Sequence, residues 1–323
     1  AKGLLVDRVP FSLVETLIWI GVLCTLVLLI IFVSGNRPAL KRRPLAHFIL
    51  VTGPILLIFL GMGQGAFPLS LAPTAWRQPL AEAYQGPDLP YPEFKRLLDL
   101  RENRLLRTWA GDYYHSLSEE EVLHGCDQAL DSVLQSLGLQ KGRTVSRMKP
   151  MGPLTTVLGL SYGGPAFHDP FFGEMAMIRA EDHPAPRYWR LVGTCHEAAH
   201  AKGFTREMDA EILTQLALDR SEDPRYRMLG DIMFMRKSGE RLHYPGALRR
   251  EILAMRDSLE QVEKRKPVVM FLRKAAIKLG FQNSGAKYGS RQGAENWNPA
   301  HPFYATVTGL ASNPSGKPPG HGE

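Results

Sequence analysis

The sequence contains little cysteine and, beyond its first segment, little net charge. Three Cys in 323 residues are too few to build a disulfide-based fold. Six basic and two acidic side chains in residues 1–66 account for +4 of the formal net charge of +7. The rest of the chain is nearly neutral, which excludes the extended basic surface that nucleic-acid binding requires. We therefore expect no nucleic-acid partner.

Charge is also nearly absent from two long apolar segments near the N-terminus. Residues 11–33 contain one charged side chain, Glu15, and residues 48–67 contain none. At about 1.5 Å per residue, each segment is long enough to cross a hydrocarbon core of about 30 Å. The second segment also argues against a cleaved signal peptide. The sequence therefore predicts a membrane anchor over residues 1–67 with two transmembrane helices in the lipid bilayer.

Basic residues are concentrated in the connector between these two segments. Residues 34–47 contain four Arg and Lys side chains, and the N-terminal tail contains two. Short loops rich in Arg and Lys stay in the cytoplasm. We therefore expect a protein of the bacterial inner membrane whose domain after residue 67 is periplasmic or otherwise extracytoplasmic.

Residues 68–295 have the pattern of one α-rich α+β domain, and residues 296–323 form a tail rich in Asn, Pro and Gly. A capping box of Ser118 and Glu121 predicts the start of a helix that ends at Gly138. A short strand is expected over Glu174–Ile178, as the edge strand of its sheet beside a cleft. Three further helices are predicted at about residues 187–202, 205–217 (with a Thr205 cap) and 247–264.

The motif HExxH occupies residues 196–200. Two His residues four positions apart lie on one face of a helix, so both imidazoles can bind one Zn²⁺, while Glu197 faces a water on the metal. The alternative is a surface helix with solvated His196, Glu197 and His200. The flanking residues are mostly apolar or small, and a buried polar group needs a partner. A zinc site is therefore favoured.

A catalytic zinc site needs a third protein ligand and one open position. Glu207 is the natural third ligand, but on a continuous helix it would lie about 10 Å along the axis from His200. Gly203 removes this obstacle, since a left-handed glycine can end the first helix and place Glu207 in the first turn of the next. Asp209 is the competing ligand. Glu211 is a candidate to accept a hydrogen bond from a ligating His.

The segment from His196 to Glu211 resembles HExxHxxGFxxExEAN, the central pattern of a bacterial family of two-span membrane proteins, domain of unknown function 3810. That family is similar to the gluzincin clan of zincin-like metallopeptidases. Residues 164–174 resemble its G-x-Y-x-PFTGE stretch, and residues 287–289 resemble its terminal SYG element. The family's EAN is Asp-Ala-Glu at residues 209–211 here, and the Thr of PFTGE is Phe.

The resemblance implies a zincin-like fold and a membrane-anchored zinc metallopeptidase that hydrolyses a peptide or protein substrate. His196, His200 and Glu207 would be the metal ligands, and Glu197 the catalytic base. Tyr288 falls in the SYG-like element and is favoured to hydrogen-bond the developing oxyanion. Further candidates for that role are Tyr162, His168 and His243.

A noncatalytic role is the alternative interpretation. The chain would then be an accessory or scaffold subunit of an integral-membrane complex. Small residues at Gly61, Gly63 and Gly65 favour close approach of another transmembrane helix, and the tail over residues 296–323 offers a second contact with partner subunits. A third interpretation is a metal-binding or sensory protein without hydrolytic activity.

Cysteine adds one open question. Cys195 precedes the motif, and its side chain points about 100° away from His196 on a helix, which favours a small packed residue over a ligand or nucleophile. A disulfide between Cys126 and Cys195 is chemically permitted outside the cytoplasm, but the spacing in sequence does not establish the required proximity.

Overall fold

The computed structural model describes eight residues between 16 and 30 and nine segments after them. These segments are residues 89–108, 113–139, 147–151, 166–169, 174–177, 186–204, 207–237, 244–251 and 306–308. Most of the described residues are helical, as the sequence predicts, and a small sheet accompanies the helices.

Five long helices form most of this part of the chain. They are α1 (Tyr91–Thr108), α2 (Glu119–Ser136), α3 (Arg187–Ala201), α4 (Glu207–Arg220) and α5 (Pro224–Lys237). A short 3-10 helix spans Tyr113–Ser116, and residues 246–251 are again helical. The helices predicted from the sequence correspond to α2, α3, α4 and the helix at 246–251, of which the part after residue 251 lies outside the described residues. Helices α1 and α5 are additional.

Helix α2 begins and ends as its sequence predicts. The Ser118 side chain accepts a hydrogen bond from the Glu121 amide, and the Glu121 carboxylate accepts one from the Ser118 amide, which completes the capping box. At the other end Gly138 has a φ of +69°, and the Leu139 amide donates to the Leu134 carbonyl at 2.8 Å. These local signals fix the length of a helix that supports the candidate site.

The sheet has three short strands: β1 (Met148–Pro150), β2 (Ala166–Asp169) and β3 (Glu174–Met177). The strand order is β1-β3-β2, in which β3 pairs parallel to β1 and antiparallel to β2. The predicted strand from Glu174 is therefore present, but its expected place at an edge is wrong. Two earlier segments of the chain pair with its two sides, so β3 is central and β2 is the antiparallel edge strand of the described sheet.

The hydrophobic core is formed by the faces of α2, α3, α4 and α5. Helix α3 packs against all three of the other helices and against β2 and β3. Helix α4 is buried almost all round, with Ile212, Leu213 and Leu216 fully inaccessible. The helix that carries the HExxH motif is thus enclosed by core elements on several sides.

A polar network joins α1 to α4 and α5. Arg101 binds the Asp219 carboxylate through two nitrogens, at 2.7 and 2.6 Å, and also lies 3.1 Å from Asp231. Arg104 donates to Asp231 at 2.7 Å, and the Gln215 amide donates to Asp219 at 3.0 Å. Each partly buried charge is thus matched by an opposite charge or an amide, and these contacts connect α1 to α4 and α5.

The first predicted membrane span is described only in part. The eight described residues between 16 and 30 are all helical, and six apolar ones are exposed: Trp19, Ile20, Leu23, Leu26, Val27 and Ile30. The second span, the connector and residues 252–305 lie outside the described residues. Within the described part of the chain, no helix combines the length and the apolar character needed to cross a bilayer.

Candidate metal centre

Helix α3 carries a buried stripe of small side chains and, on a different side, the HExxH polar residues. Cys195, Ala198 and Ala199 are fully buried, whereas His196, Glu197 and His200 are all partly exposed. Successive residues of an α-helix are rotated by about 100° around its axis. The buried and the partly exposed residues therefore lie on different sides of α3, although they are interleaved in sequence. The motif therefore lies on the partly exposed side of a helix whose other side is buried in the core.

The two imidazoles of the motif converge. The Nε2 atoms of His196 and His200 are 3.1 Å apart, and the rings meet edge to face with centroids separated by 4.7 Å. Two nitrogens bound to one tetrahedral zinc at about 2.0 to 2.1 Å are about 3.3 Å apart. The separation of the two Nε2 atoms therefore suits one shared ion.

The other nitrogen of His200 is held by the main chain. Its Nδ1 lies 2.6 Å from the carbonyl oxygen of Phe204. A carbonyl oxygen can only accept a hydrogen bond, so Nδ1 is the donor, and in the neutral imidazole Nε2 then has the lone pair that can bind a metal. Histidine ligands of metals are usually oriented in this way by a hydrogen bond from the second ring nitrogen.

The turn after α3 places the Phe204 carbonyl at this position. Gly203 has a φ of +99°, in the left-handed region that favours glycine. The Gly203 amide donates to the His200 carbonyl at 2.8 Å, and the Phe204 amide donates to the Ala199 carbonyl at 3.4 Å. This pair of bonds is the Schellman motif, which reverses the chain at a helix end. The predicted role of Gly203 as a helix terminator is confirmed.

The third predicted ligand is placed by its backbone alone. Glu207 is the first residue of α4, which confirms its predicted place in the first helical turn, while its side chain and residue Thr205 lie outside the described residues. Asp209 and Glu211 follow on the same helix. Asp209 is buried, and Glu211 is partly exposed. Among the side chains that are described, no three His, Cys, Asp or Glu residues form a metal-binding group.

The candidates for oxyanion stabilisation are largely outside the described part of the chain. This applies to Tyr288, Tyr162 and His243. His168 lies on the edge strand β2, opposite Met175 of β3, and its side chain is not described. The role predicted for these four residues stays a prediction.

A disulfide joins Cys195 of α3 to Cys126 of α2, with the two Cα atoms 5.4 Å apart. Both residues are fully buried, so the expectation that Cys195 is packed and is not a ligand is confirmed. The bond attaches the residue immediately before His196 to the neighbouring helix. The pairing links residues 69 positions apart, which is why the sequence alone left it open.

Two groups near the motif were not predicted from the sequence. The Phe204 carbonyl belongs to the main chain, so the identity of the residue does not indicate its role. Lys202 is buried, and its Nζ lies 2.7 Å from Asp127 and 2.8 Å from Asp131, both on α2. Lys202 is the one charged residue in the Ala-Lys-Gly-Phe segment at 201–204. This charge among small and apolar residues was the sequence feature that could have indicated a buried ion pair.

A family model described as Protein of unknown function (DUF3810) matches residues 3–253, most of the 323-residue chain. The chain belongs to the DUF3810 family. A comparison with curated proteins gives no match, and neither does a comparison with solved structures. In this DUF3810 protein the matched segment includes the HExxH motif and Glu207. It ends before residues 287–289, so the match gives no support to Tyr288.

Replacing Gly203 tests the turn that orients His200. Gly203→Ala should lower the free energy of unfolding by about 1 to 2 kcal/mol, because a side chain is strained at this positive φ. The measurement is thermal or denaturant unfolding of the purified full-length protein.

Gly246→Ala is the matched control. Gly246 is exposed and helical, and a Cβ there would meet only Arg250 Nη1, at 3.7 Å. This change should be neutral or slightly stabilising, by up to about 1 kcal/mol. Equal losses of stability in the two variants would contradict the special role of the turn at Gly203.

Removing the disulfide should weaken the connection between α2 and α3. Closing a loop of this length stabilises a protein by about 4 kcal/mol in the chain-entropy model, so Cys126→Ser with Cys195→Ser should markedly lower the unfolding midpoint. Thiol labelling of denatured, unreduced wild-type protein should detect Cys24 alone, and labelling after reduction should detect all three cysteines. Three reactive thiols before reduction would contradict the disulfide.

Proposed function

We propose that the protein is a membrane-anchored zinc metallopeptidase of zincin-like type. His196, His200 and Glu207 hold the metal, and Glu197 is the catalytic base. The observation that carries this proposal is the pair of His Nε2 atoms 3.1 Å apart, one of them with its tautomer fixed by the Phe204 carbonyl. A pair of imidazoles set up in this way has the donor atoms and the spacing that zinc binding requires.

Glu207 is the preferred third ligand because of where its helix begins. The left-handed turn at Gly203 reverses the chain directly after His200, and α4 then starts at Glu207. The assignment depends on this reversal, because a continuous helix would put Glu207 about 10 Å along the axis from His200. Asp209, the competing ligand, is two positions further along α4 and is buried. Its described side chain forms no metal-binding group with His196 and His200, which favours Glu207.

Glu197 adjoins His196 on α3 and is partly exposed, as a group that exchanges protons with substrate must be. When bound, zinc would polarise the scissile carbonyl and lower the pKa of a bound water toward about 7. Glu197 would accept the proton of the attacking water and deliver it to the leaving amine. A peptide substrate would pair with β2, the antiparallel edge strand of the described sheet, because β3 is central and already paired on both sides.

The proposed location of this domain is outside the cytoplasm, anchored by transmembrane helices over about residues 11–33 and 48–67. Two independent features support it. The basic connector at residues 34–47 favours a cytoplasmic position for that loop. The disulfide between Cys126 and Cys195 is a bond that forms and persists in oxidising compartments.

Variants of the ligands test the composition of the metal site. His196→Ala, His200→Ala and Glu207→Ala should each reduce zinc per chain to a small fraction of the wild-type value, because each removes one of three protein donors. Asp209→Ala is the matched control, since it removes a carboxylate from the same turn of α4. The measurement is elemental analysis of protein purified in detergent. Loss of zinc from Asp209→Ala with retention in Glu207→Ala would assign the third ligand to Asp209.

Glu197→Gln tests catalysis separately from metal binding. The substitution keeps the size of the side chain and removes the proton acceptor, so zinc should stay bound while peptide hydrolysis falls by a factor on the order of 100 or more. Wild-type and variant protein are compared for zinc per chain and for cleavage of a mixed peptide library.

The same assay distinguishes the peptidase from a noncatalytic subunit. A wild-type protein that holds one zinc per chain, cleaves nothing in the library and co-purifies with a defined membrane complex would replace the peptidase by the scaffold interpretation. In that case Glu197→Gln should leave the assembly intact.

A further inference from the structure

Lys202 lies at the end of α3, two residues after His200, and its side chain is fully buried. Its Nζ is 2.7 Å from Asp127 Oδ1 and 2.8 Å from Asp131 Oδ1. A buried ion pair is often no more stabilising than apolar side chains of similar volume. Stability alone is therefore a poor reason for placing three charged groups here.

The cluster occupies a particular place relative to the motif. Cys195 and Lys202 are seven residues apart, two turns of helix, so both lie on the face of α3 that meets α2. Their partners Cys126 and Asp127 are consecutive in α2. The five residues of HExxH are consequently attached to the same helix at both ends, by a covalent bond before His196 and by an ion pair after His200.

The ion pair lies two residues before the carbonyl that orients His200. Lys202 is the C-cap of α3, and the next two residues are Gly203 and Phe204, whose carbonyl accepts the hydrogen bond from His200 Nδ1. Fixing the Lys202 side chain against α2 therefore fixes the start of the turn that presents this carbonyl. Without that attachment, the last turn of α3 would be free to fray, as helix ends commonly do.

We propose that Lys202, together with Asp127 and Asp131, is a positioning residue for the metal centre. The three charges hold the turn at Gly203 on α2, and the turn holds the Phe204 carbonyl at His200 Nδ1. The metal part of this inference rests on the proposed function, because it assigns Lys202 a task in binding zinc. The effect on the His200 tautomer is independent of any metal.

The test compares three variants of the full-length protein in detergent. Lys202→Met removes the cation, and Asp131→Asn weakens the cluster while Lys202 keeps its ion pair with Asp127. Arg190→Met is the matched control. Arg190 is also a buried cation on α3 that pairs with α2, since its Nε donates to Glu119 at 2.7 Å, but it lies at the opposite end of the helix.

Two quantities are measured beside the unfolding midpoint: zinc affinity by competition with a chelator, and the His200 tautomer from ¹⁵N spectra of histidine-labelled, zinc-free protein. We expect Lys202→Met and Arg190→Met both to lower the midpoint. Of these two variants, only Lys202→Met should lower zinc affinity, on the order of 10-fold, and mix the His200 tautomers. Asp131→Asn should produce the same changes to a smaller extent. A His200→Gln variant assigns the resonance.

The outcomes separate the inference from the function on which it partly rests. Equal losses of zinc affinity in Lys202→Met and Arg190→Met, or an unchanged affinity in Lys202→Met, would overturn the positioning role while leaving the zinc site in place. If Lys202→Met does not fold, Asp131→Asn decides by the same two measurements. If the wild type binds no zinc, the proposed function fails. The tautomer then decides whether Lys202 orients His200.

Discussion

The hydrogen bond from His200 Nδ1 to the Phe204 carbonyl determines what the two histidines of the motif can do. It assigns the proton of His200 to Nδ1 and directs Nε2 toward the Nε2 of His196, 3.1 Å away. The bond exists because a left-handed glycine reverses the chain immediately after the helix. One change of backbone direction thus ends α3 and orients a side chain, four residues before α4 begins at Glu207.

The surrounding fold keeps that geometry rigid. Helix α2 supplies both Cys126 and the two aspartates that pair with Lys202, and α4 occupies the centre of the core. The small residues Ala198 and Ala199 are buried on α3, whereas the imidazoles remain partly exposed. The proposed metal centre would need this combination of support on one side and access on the other.

Local signals in the sequence predicted the ends of the central helices. The capping box at Ser118 and the glycines at 138 and 203 act through neighbouring backbone groups, so their effect is readable from a few residues. Helix α5 also has a start signal, Asp223 followed by Pro224. Its apolar residues form no single stripe, because the helix is buried on several sides, so the usual pattern of an amphipathic helix is missing. Pairings over long distances in sequence were not predictable. The central position of β3, the disulfide and the cluster around Lys202 all depend on segments that are brought together only by the fold.

X-ray absorption at the zinc edge of the purified full-length protein tests most directly whether the paired histidines form a metal centre. The account predicts zinc bound by nitrogen and oxygen alone at about 2.0 to 2.1 Å, with the multiple scattering of two imidazoles. Sulfur at about 2.3 Å, or scattering from fewer than two imidazoles, would contradict a site built on His196 and His200.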